Sequence, residues 1–415
     1  MAHHDVNCGR RSFLARSVSG AVTLGLLGRG AFSEKQKDAP TKKTAKDDST
    51  SGILTRTLGR TDLRLPIVSL GVMNADNPAL LRRAYELGVR HFDTAAYYQN
   101  GRNEEMVGGV IRELGARDQT VIATKVFVEH QRRNADWRTL KQFYLDTMDA
   151  SLKRLQTDHV EVLYAHNLSS VAEIENRGVC EALAEIKRAK KARFVGFSTH
   201  ANMAEVIESA TRTGFYDVVL SVFNYSLHDD ARLIEALAAA ARAGLGIVAM
   251  KTQCQQAWYR TRLDAKTGAF YDGEVLHGAL LKWVLQHDFV ATAIPGCTVF
   301  DHIETDFVVA SALEYTPDER RFLESRGVKR ALSSVCRQCG RCRRTCPRAV
   351  DVPALMRAHM YGAAYGNRDQ MRLALRDIER GQGLDACRDC RECRARCVSN
   401  VDIARRIGEL RQMCA

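Results

Sequence analysis

Eight cysteines near the end of the chain carry its most explicit chemistry. Cys336, Cys339, Cys342 and Cys346 follow the spacing C-x2-C-x2-C-x3-C with Pro347 directly after, and Cys387, Cys390, Cys393 and Cys397 repeat it with Val398 in place of the proline. Thiolates bind soft metals, so each run could grip an iron–sulfur cluster or a structural zinc ion, and in an oxidising compartment the same cysteines could form disulfides. Zinc takes its ligands from two C-x2-C pairs and leaves the x2-x3 continuation unexplained. Two full copies of one spacing favour clusters. Cys8, Cys180, Cys254, Cys297 and Cys414 fall outside both runs, and a lone cysteine reads by default as a small buried hydrophobe.

The paired runs resemble those of bacterial two-cluster ferredoxins, in which three closely spaced thiolates hold three corners of a cubane and the fourth reaches across to the other. That resemblance implies two 4Fe-4S clusters in a small α-helical ferredoxin-type domain. Cys336, Cys339, Cys342 and Cys397 would hold one cluster, and Cys387, Cys390, Cys393 and Cys346 the other. Charge agrees with this. The formal net charge is +12, and residues 326–415 alone hold 20 Lys and Arg against 9 Asp and Glu. A cluster with four thiolates carries about −2, so Arg337, Arg341, Arg343, Arg344, Arg388, Arg391, Arg394 and Arg396, interleaved with the ligands, offset it. Nucleic acid is the other reading of a basic domain, but only Tyr361 and Tyr365 are available there to stack on bases, and none is expected as a partner.

A second constellation lies earlier. Asp93 follows an apolar run ending at Phe92, Tyr97 and Tyr98 come shortly after, Lys125 closes Ala123–Thr124–Lys125, and His166 closes Leu163–Tyr164–Ala165–His166. These residue types can move a proton in concert with a redox step. A phenol is a poor donor near neutrality unless a nearby ammonium lowers its pKa, a carboxylate can hold that ammonium, and an imidazole can orient a carbonyl oxygen.

Such residues must be held by rigid elements. Short apolar runs at 67–72, 89–92, 121–124, 160–164, 194–197, 218–222, 246–249 and 291–294 read as strands. Segments of helical period lie between them at 78–87, 140–155, 179–189, 231–243 and 273–286. Strand then helix, eight times over, predicts an α/β protein with a (β/α)8 TIM barrel. All strand ends that carry ionisable residues then open on one face. No Gly-x-Gly-x-x-Gly follows the first strand, which disfavours a doubly wound dinucleotide fold.

At these positions the chain resembles the aldo-keto reductase family over about residues 53–311, through Asp93, Thr94, Ala95, Ala96, Tyr97 and Tyr98, then Gly101, Asn103, Glu104, Glu105, Val107 and Gly108. The tail resembles the ferredoxin extension of an iron–sulfur branch of that family. The resemblance implies a catalytic tetrad of Asp93, Tyr98, Lys125 and His166, with Tyr98 chosen over Tyr97 by its distance from the aspartate. It implies NADP or NAD binding by Ser198 after the fifth strand, Met250 and Lys251 after the seventh, and Pro295 and Gly296 after the eighth. Lys251 stands near where many relatives place a tyrosine that stacks on the nicotinamide. His302 and Asp306 stand about where relatives have an arginine for the 2′-phosphate and an asparagine, so the choice between NADP and NAD stays open.

The N-terminus adds a destination. Arg10 and Arg11, then Ser12, Phe13 and Leu14, an apolar segment at 18–27 and small residues at Ala31 and Ser33 resemble a twin-arginine (Tat) signal over residues 1–33. Residues 34–52 are polar and read as a flexible linker, leaving the barrel at 53–315 and the cluster domain at 316–415. The apolar segment is too short to span a bilayer. With 45% hydrophobic and 27% charged residues among 415, the chain is not collagenous, mucin-like or wholly disordered. The expectation is an enzyme, an oxidoreductase that is periplasmic or otherwise exported by the Tat translocase. It would act on a small-molecule carbonyl or alcohol and pass single electrons to a redox partner protein. The alternative is an electron-transfer protein whose barrel is a scaffold or docking surface without nicotinamide-dependent activity.

Overall fold

A computed structural model describes residues 52–258, 273–388, 390 and 392–414; the expected signal and nearly all of the expected linker lie outside these. A short antiparallel hairpin, β1 (Thr55–Thr57) and β2 (Arg64–Pro66), opens the described chain. Eight parallel strands follow: β3 (Leu70–Gly71), β4 (His91–Asp93), β5 (Val121–Phe127), β6 (Val160–His166), β7 (Ala192–Thr199), β8 (Val218–Val222), β9 (Gly246–Met250) and β10 (Thr292–Ile294). Each pairs with its sequence neighbour. Parallel bridges from Val68 to Ala293 and from Gly71 to Gly296 bring β3 against β10, so the barrel is nearly closed.

All eight expected strands form. The hairpin is an addition that strands of three residues are too short to announce by alternation. Its Leu58, Leu63 and Leu65 enter the lower barrel beside Val162, Leu220 and Val248. One end of the barrel is therefore plugged with hydrocarbon, and chemistry is confined to the C-terminal mouth.

Helices cover the strands with apolar faces of helical period. Arg177–Arg188, for example, buries Val179, Ala182, Leu183 and Ile186. Trp137–Leu155 starts at Asp136, whose carboxylate accepts from the amides of Arg138 and Thr139. Arg102–Glu113 packs so closely on the end of that helix that a Cβ at Gly108 would collide with the Leu155 carbonyl.

Two short helices, Pro317–Glu324 and Arg326–Ser333, follow the barrel and are separated at Ser325. Both pieces pack on the barrel, with Phe322, Leu323, Val328 and Leu332 against Tyr225 and Leu280. The last region is helical: Val352–His359, a π turn at Met360–Ala364, Arg368–Arg376 and Ile403–Cys414 share a core of Val350, Leu355, Met371, Ile407 and Leu410. This region lies across the barrel mouth. Asp377 binds Arg133 at 2.6 Å and accepts from the His130 amide at 2.7 Å, Asn367 donates to Asn74 at 3.0 Å, and Arg337 pairs with Asp229 at 2.8 Å. Among the described residues no helix is long and apolar enough to cross a membrane.

Candidate active site

Asp93 ends β4, Lys125 lies in β5 and His166 ends β6, so three adjacent strands deliver their side chains to one place. The Lys125 ammonium is buried, donates to the Asp93 carboxylate and donates to the Thr94 carbonyl at 2.6 Å. After β4 the chain passes through Tyr97 and Tyr98 and then turns at Gln99 and Asn100, both at positive φ. The Lys125 nitrogen lies 5.0 Å from the centre of the Tyr98 ring, and the His166 ring stands edge-on to Tyr98 at 5.9 Å. Tyr97 instead packs on Phe127, with ring centres 4.4 Å apart.

The supporting residues are buried too. Asn103 accepts from the Thr94 hydroxyl at 2.7 Å and donates to the carbonyls of Val72 and Ala75. Glu104 accepts from Thr124 at 2.5 Å and pairs with Arg154 at 2.7 Å. The helix after the tyrosine is thereby fixed to β4, β5 and the loop after β3.

Burial governs the charges. It holds the Tyr98 phenol well above its ordinary pKa, and Asp93 and Tyr361 push the same way. It drives His166 well below the usual imidazole value, helped by the cations Lys125, Arg357 and Lys251. At neutral pH the site therefore presents a protonated phenol and a neutral imidazole. The Nδ1 of His166 and the Tyr164 hydroxyl have no partner among the described residues.

A cavity of about 240 Å³ runs from this group. Asp93 and Tyr98 line one part, and Met250, Lys251, Pro295 and Gly296 line it further along, as do His302 and Asp306. Four of the five residues assigned to the nicotinamide cofactor thus share one cavity with part of the tetrad. Ser198 is placed otherwise. It is fully buried, and its hydroxyl accepts from the Asn167 amide at 2.8 Å, fixing the loop after His166. Among the described residues, Asp301, Asp306 and His302 line this cavity and no arginine does.

Residues 64–273, half of the chain, match the aldo/keto reductase family. The chain belongs to that family. It is an oxidoreductase, and residues 335–402 match a 4Fe-4S dicluster domain. This aldo/keto reductase is 31% identical over 210 residues to the uncharacterized oxidoreductase YrpG of Bacillus subtilis, a match covering 46% of this chain and just under two thirds, 64%, of that one. It is 24% identical over 288 residues to an L-galactose dehydrogenase of Arabidopsis thaliana, covering 62% of this chain and 88% of that protein. Among solved structures, an aldo-keto reductase from Klebsiella pneumoniae in complex with NADPH has the same barrel fold, with a TM-score of 0.50 at 22% identity over 66% of this chain and 95% of that one.

The cysteines fit iron–sulfur ligation. Cys346, Cys387, Cys390 and Cys393 line one cavity of about 230 Å³, the set expected for one cluster, with its fourth ligand drawn from the other run. Cys336 and Cys342 each sense Cys397 electrostatically, which places Cys397 with the first run. Gln338 donates to the Cys336 sulfur and the Ser399 amide to the Cys397 sulfur, both at 3.3 Å. Hydrogen bonds to sulfur of this kind tune cluster potentials. Among the described residues no three Cys, His, Asp or Glu side chains converge as a single metal ion needs; the thiols surround a volume instead.

What the sequence reading missed is the tail at the mouth. Arg357 and Tyr361 line a cavity with His166 and Tyr97, and Tyr365 lines the one that holds Tyr98. No local pattern marks these residues, because their role comes from docking.

Proposed function

We propose that this aldo/keto reductase is an exported iron–sulfur enzyme that interconverts a small-molecule carbonyl and an alcohol, using NADPH or NADH, while two 4Fe-4S clusters exchange single electrons with a redox partner protein. The observation that carries this reading is the meeting of Asp93, Tyr98, Lys125 and His166 at one end of a cavity also lined by Met250, Lys251, Pro295 and Gly296. A nicotinamide, the group present in the Klebsiella neighbour, supplies a hydride for the carbonyl carbon. Tyr98 gives its phenolic proton to the carbonyl oxygen, so the product is the alcohol. Burial keeps that phenol protonated at neutral pH, so the proton is present, and its release depends on positive charge placed beside the oxygen. Lys125, fixed by Asp93 and Thr94, offsets the charge that develops on the phenol oxygen. Neutral His166 donates one hydrogen bond to the carbonyl.

The nicotinamide hydride and the phenolic proton balance the carbonyl step by themselves; a cluster moves one electron and a hydride carries two, so coupling the clusters to that step would require a converter such as a flavin. The Arg10–Arg11 motif and the apolar segment after it support Tat export, a route for proteins already folded around clusters made inside the cell.

The test is anaerobic. Holoprotein mixed with NADPH or NADH and a panel of aldehydes and ketones should oxidise the nicotinamide and form alcohol in equal amounts. If neither nicotinamide binds, while dithionite still reduces the clusters, the barrel is a scaffold and the enzyme reading is wrong.

A further inference from the structure

Three cations line one small cavity: Arg337 is paired with Asp229, while Lys251 and Arg357, one from each half of the molecule, have no carboxylate partner among the described residues. Lys251 follows β9 at positive φ, and its ammonium lies 5.0 Å and 5.5 Å from the ring centres of Tyr361 and Tyr365. Burial lowers the Lys251 pKa to about 7, and the neighbouring cation Arg357 pushes the same way. Arg357 comes from the helix Val352–His359 and makes one hydrogen bond, 3.4 Å to the Asn167 side chain. Both line a small cavity of about 30 Å³, together with His200 and Cys336. His200 is 6% exposed, and its Nδ1 has no partner.

The nearby carboxylates are committed elsewhere. Asp93 is paired with Lys125, and Asp377, which lines the cavity on the other side of Arg357, is held by Arg133 and the His130 amide. Like charges brought together away from water repel, and they are stabilised when an anion enters between them. The cavity has the room of two or three waters, enough for a carboxylate group and no more. Lys251 also lines the larger cavity that contains Tyr98. Lys251 therefore borders both the small cavity and the one that Tyr98 lines.

We infer that Lys251 and Arg357 form a carboxylate-binding subsite, so that the substrate is a small oxo acid gripped by the Arg357 guanidinium and the Lys251 ammonium with its carbonyl directed to Tyr98. The guanidinium fork matches a carboxylate geometrically, and the ammonium adds a point charge. The identity of the reacting group rests on the reductase reading above; the binding of the carboxylate does not. The cluster-bearing region thus completes the substrate pocket by supplying Arg357.

Calorimetric titration of the full chain, purified anaerobically with its clusters and without nicotinamide, tests this with pyruvate, acetone and inorganic phosphate as probes. Pyruvate should bind, acetone should not, and Lys251→Gln and Arg357→Gln should each weaken pyruvate at least tenfold with unchanged visible and EPR spectra of the clusters. Unchanged pyruvate affinity in both variants, or phosphate binding more tightly than pyruvate, overturns the subsite. So does a shift of cluster potential in the variants with pyruvate binding intact, which would make the two cations counter-charges for the cluster near Cys336. Pyruvate binding that depends on both cations, in a protein that never oxidises nicotinamide, upholds the subsite and removes the reductase reading instead.

Discussion

The barrel and the cluster region are stabilised by different means. The barrel buries a continuous layer of apolar side chains between strands and helices and a second cluster inside the strands. The cluster region has a much smaller core, and that core includes ligand thiols: Cys342 and Cys387 are within it, with Cys336, Cys346, Cys393 and Cys397 packed against it. Small domains that bury little apolar surface depend on staples such as metal centres. The barrel should fold on its own apolar energy, and the region above it should depend on what its cysteines hold. Under the proposed function chemistry would be divided in the same way, with proton transfer in the barrel and electron transfer in the part that covers it.

The sharpest way to break that division is at the phenol. Tyr98→Phe should lower carbonyl reduction by about 10²- to 10⁴-fold, the usual contribution of a general acid, while leaving the cluster absorption as it was. Steady-state kinetics beside an optical spectrum decides it, and a loss of cluster signal would mean the two regions are not separable.

Next comes the cross-ligation. Cys346→Ala should remove the cluster that Cys387, Cys390 and Cys393 hold, although Cys346 belongs to the other run, and Cys397→Ala should do the reverse. Iron analysis should show about half the iron in either variant, with EPR distinguishing which cluster remains. If Cys346→Ala instead disrupts the cluster of Cys336, Cys339 and Cys342, ligation is within each run. The barrel's thermal transition should stay in place in both.

The smallest effect concerns the barrel alone. Burial pushes the Asp306 carboxyl up to about 7, against the hydrogen bonds from Gln253 and Cys297 that pull it down. Between its ordinary value near 4 and about 7, the folded state holds a proton that the unfolded state has released. Stability from this group is therefore complete at low pH and is lost as pH rises through 7. Denaturant midpoints should fall between pH 5 and pH 8, and Asp306→Asn should flatten that fall; an identical slope in the variant would show that another group is responsible.

The sequence alone determined the eight strands, because buried parallel strands are continuous apolar runs and the helices between them repeat at helical period. Asp93, Lys125 and His166 were legible because a barrel sends every strand's end to one face, and the pairing of the cysteine runs was legible because ligand spacing is local. Tertiary structure decided the rest. Tyr98 lies over Lys125 while its neighbour Tyr97 packs on Phe127, a difference between two adjacent tyrosines that only their packing partners decide. Ser198 went to hold a loop, and the hairpin of Leu58 and Leu65 plugged the barrel floor. Lys251 and Arg357 meet across more than a hundred residues. No periodicity or spacing encodes that encounter, since it depends on how two independently built surfaces dock.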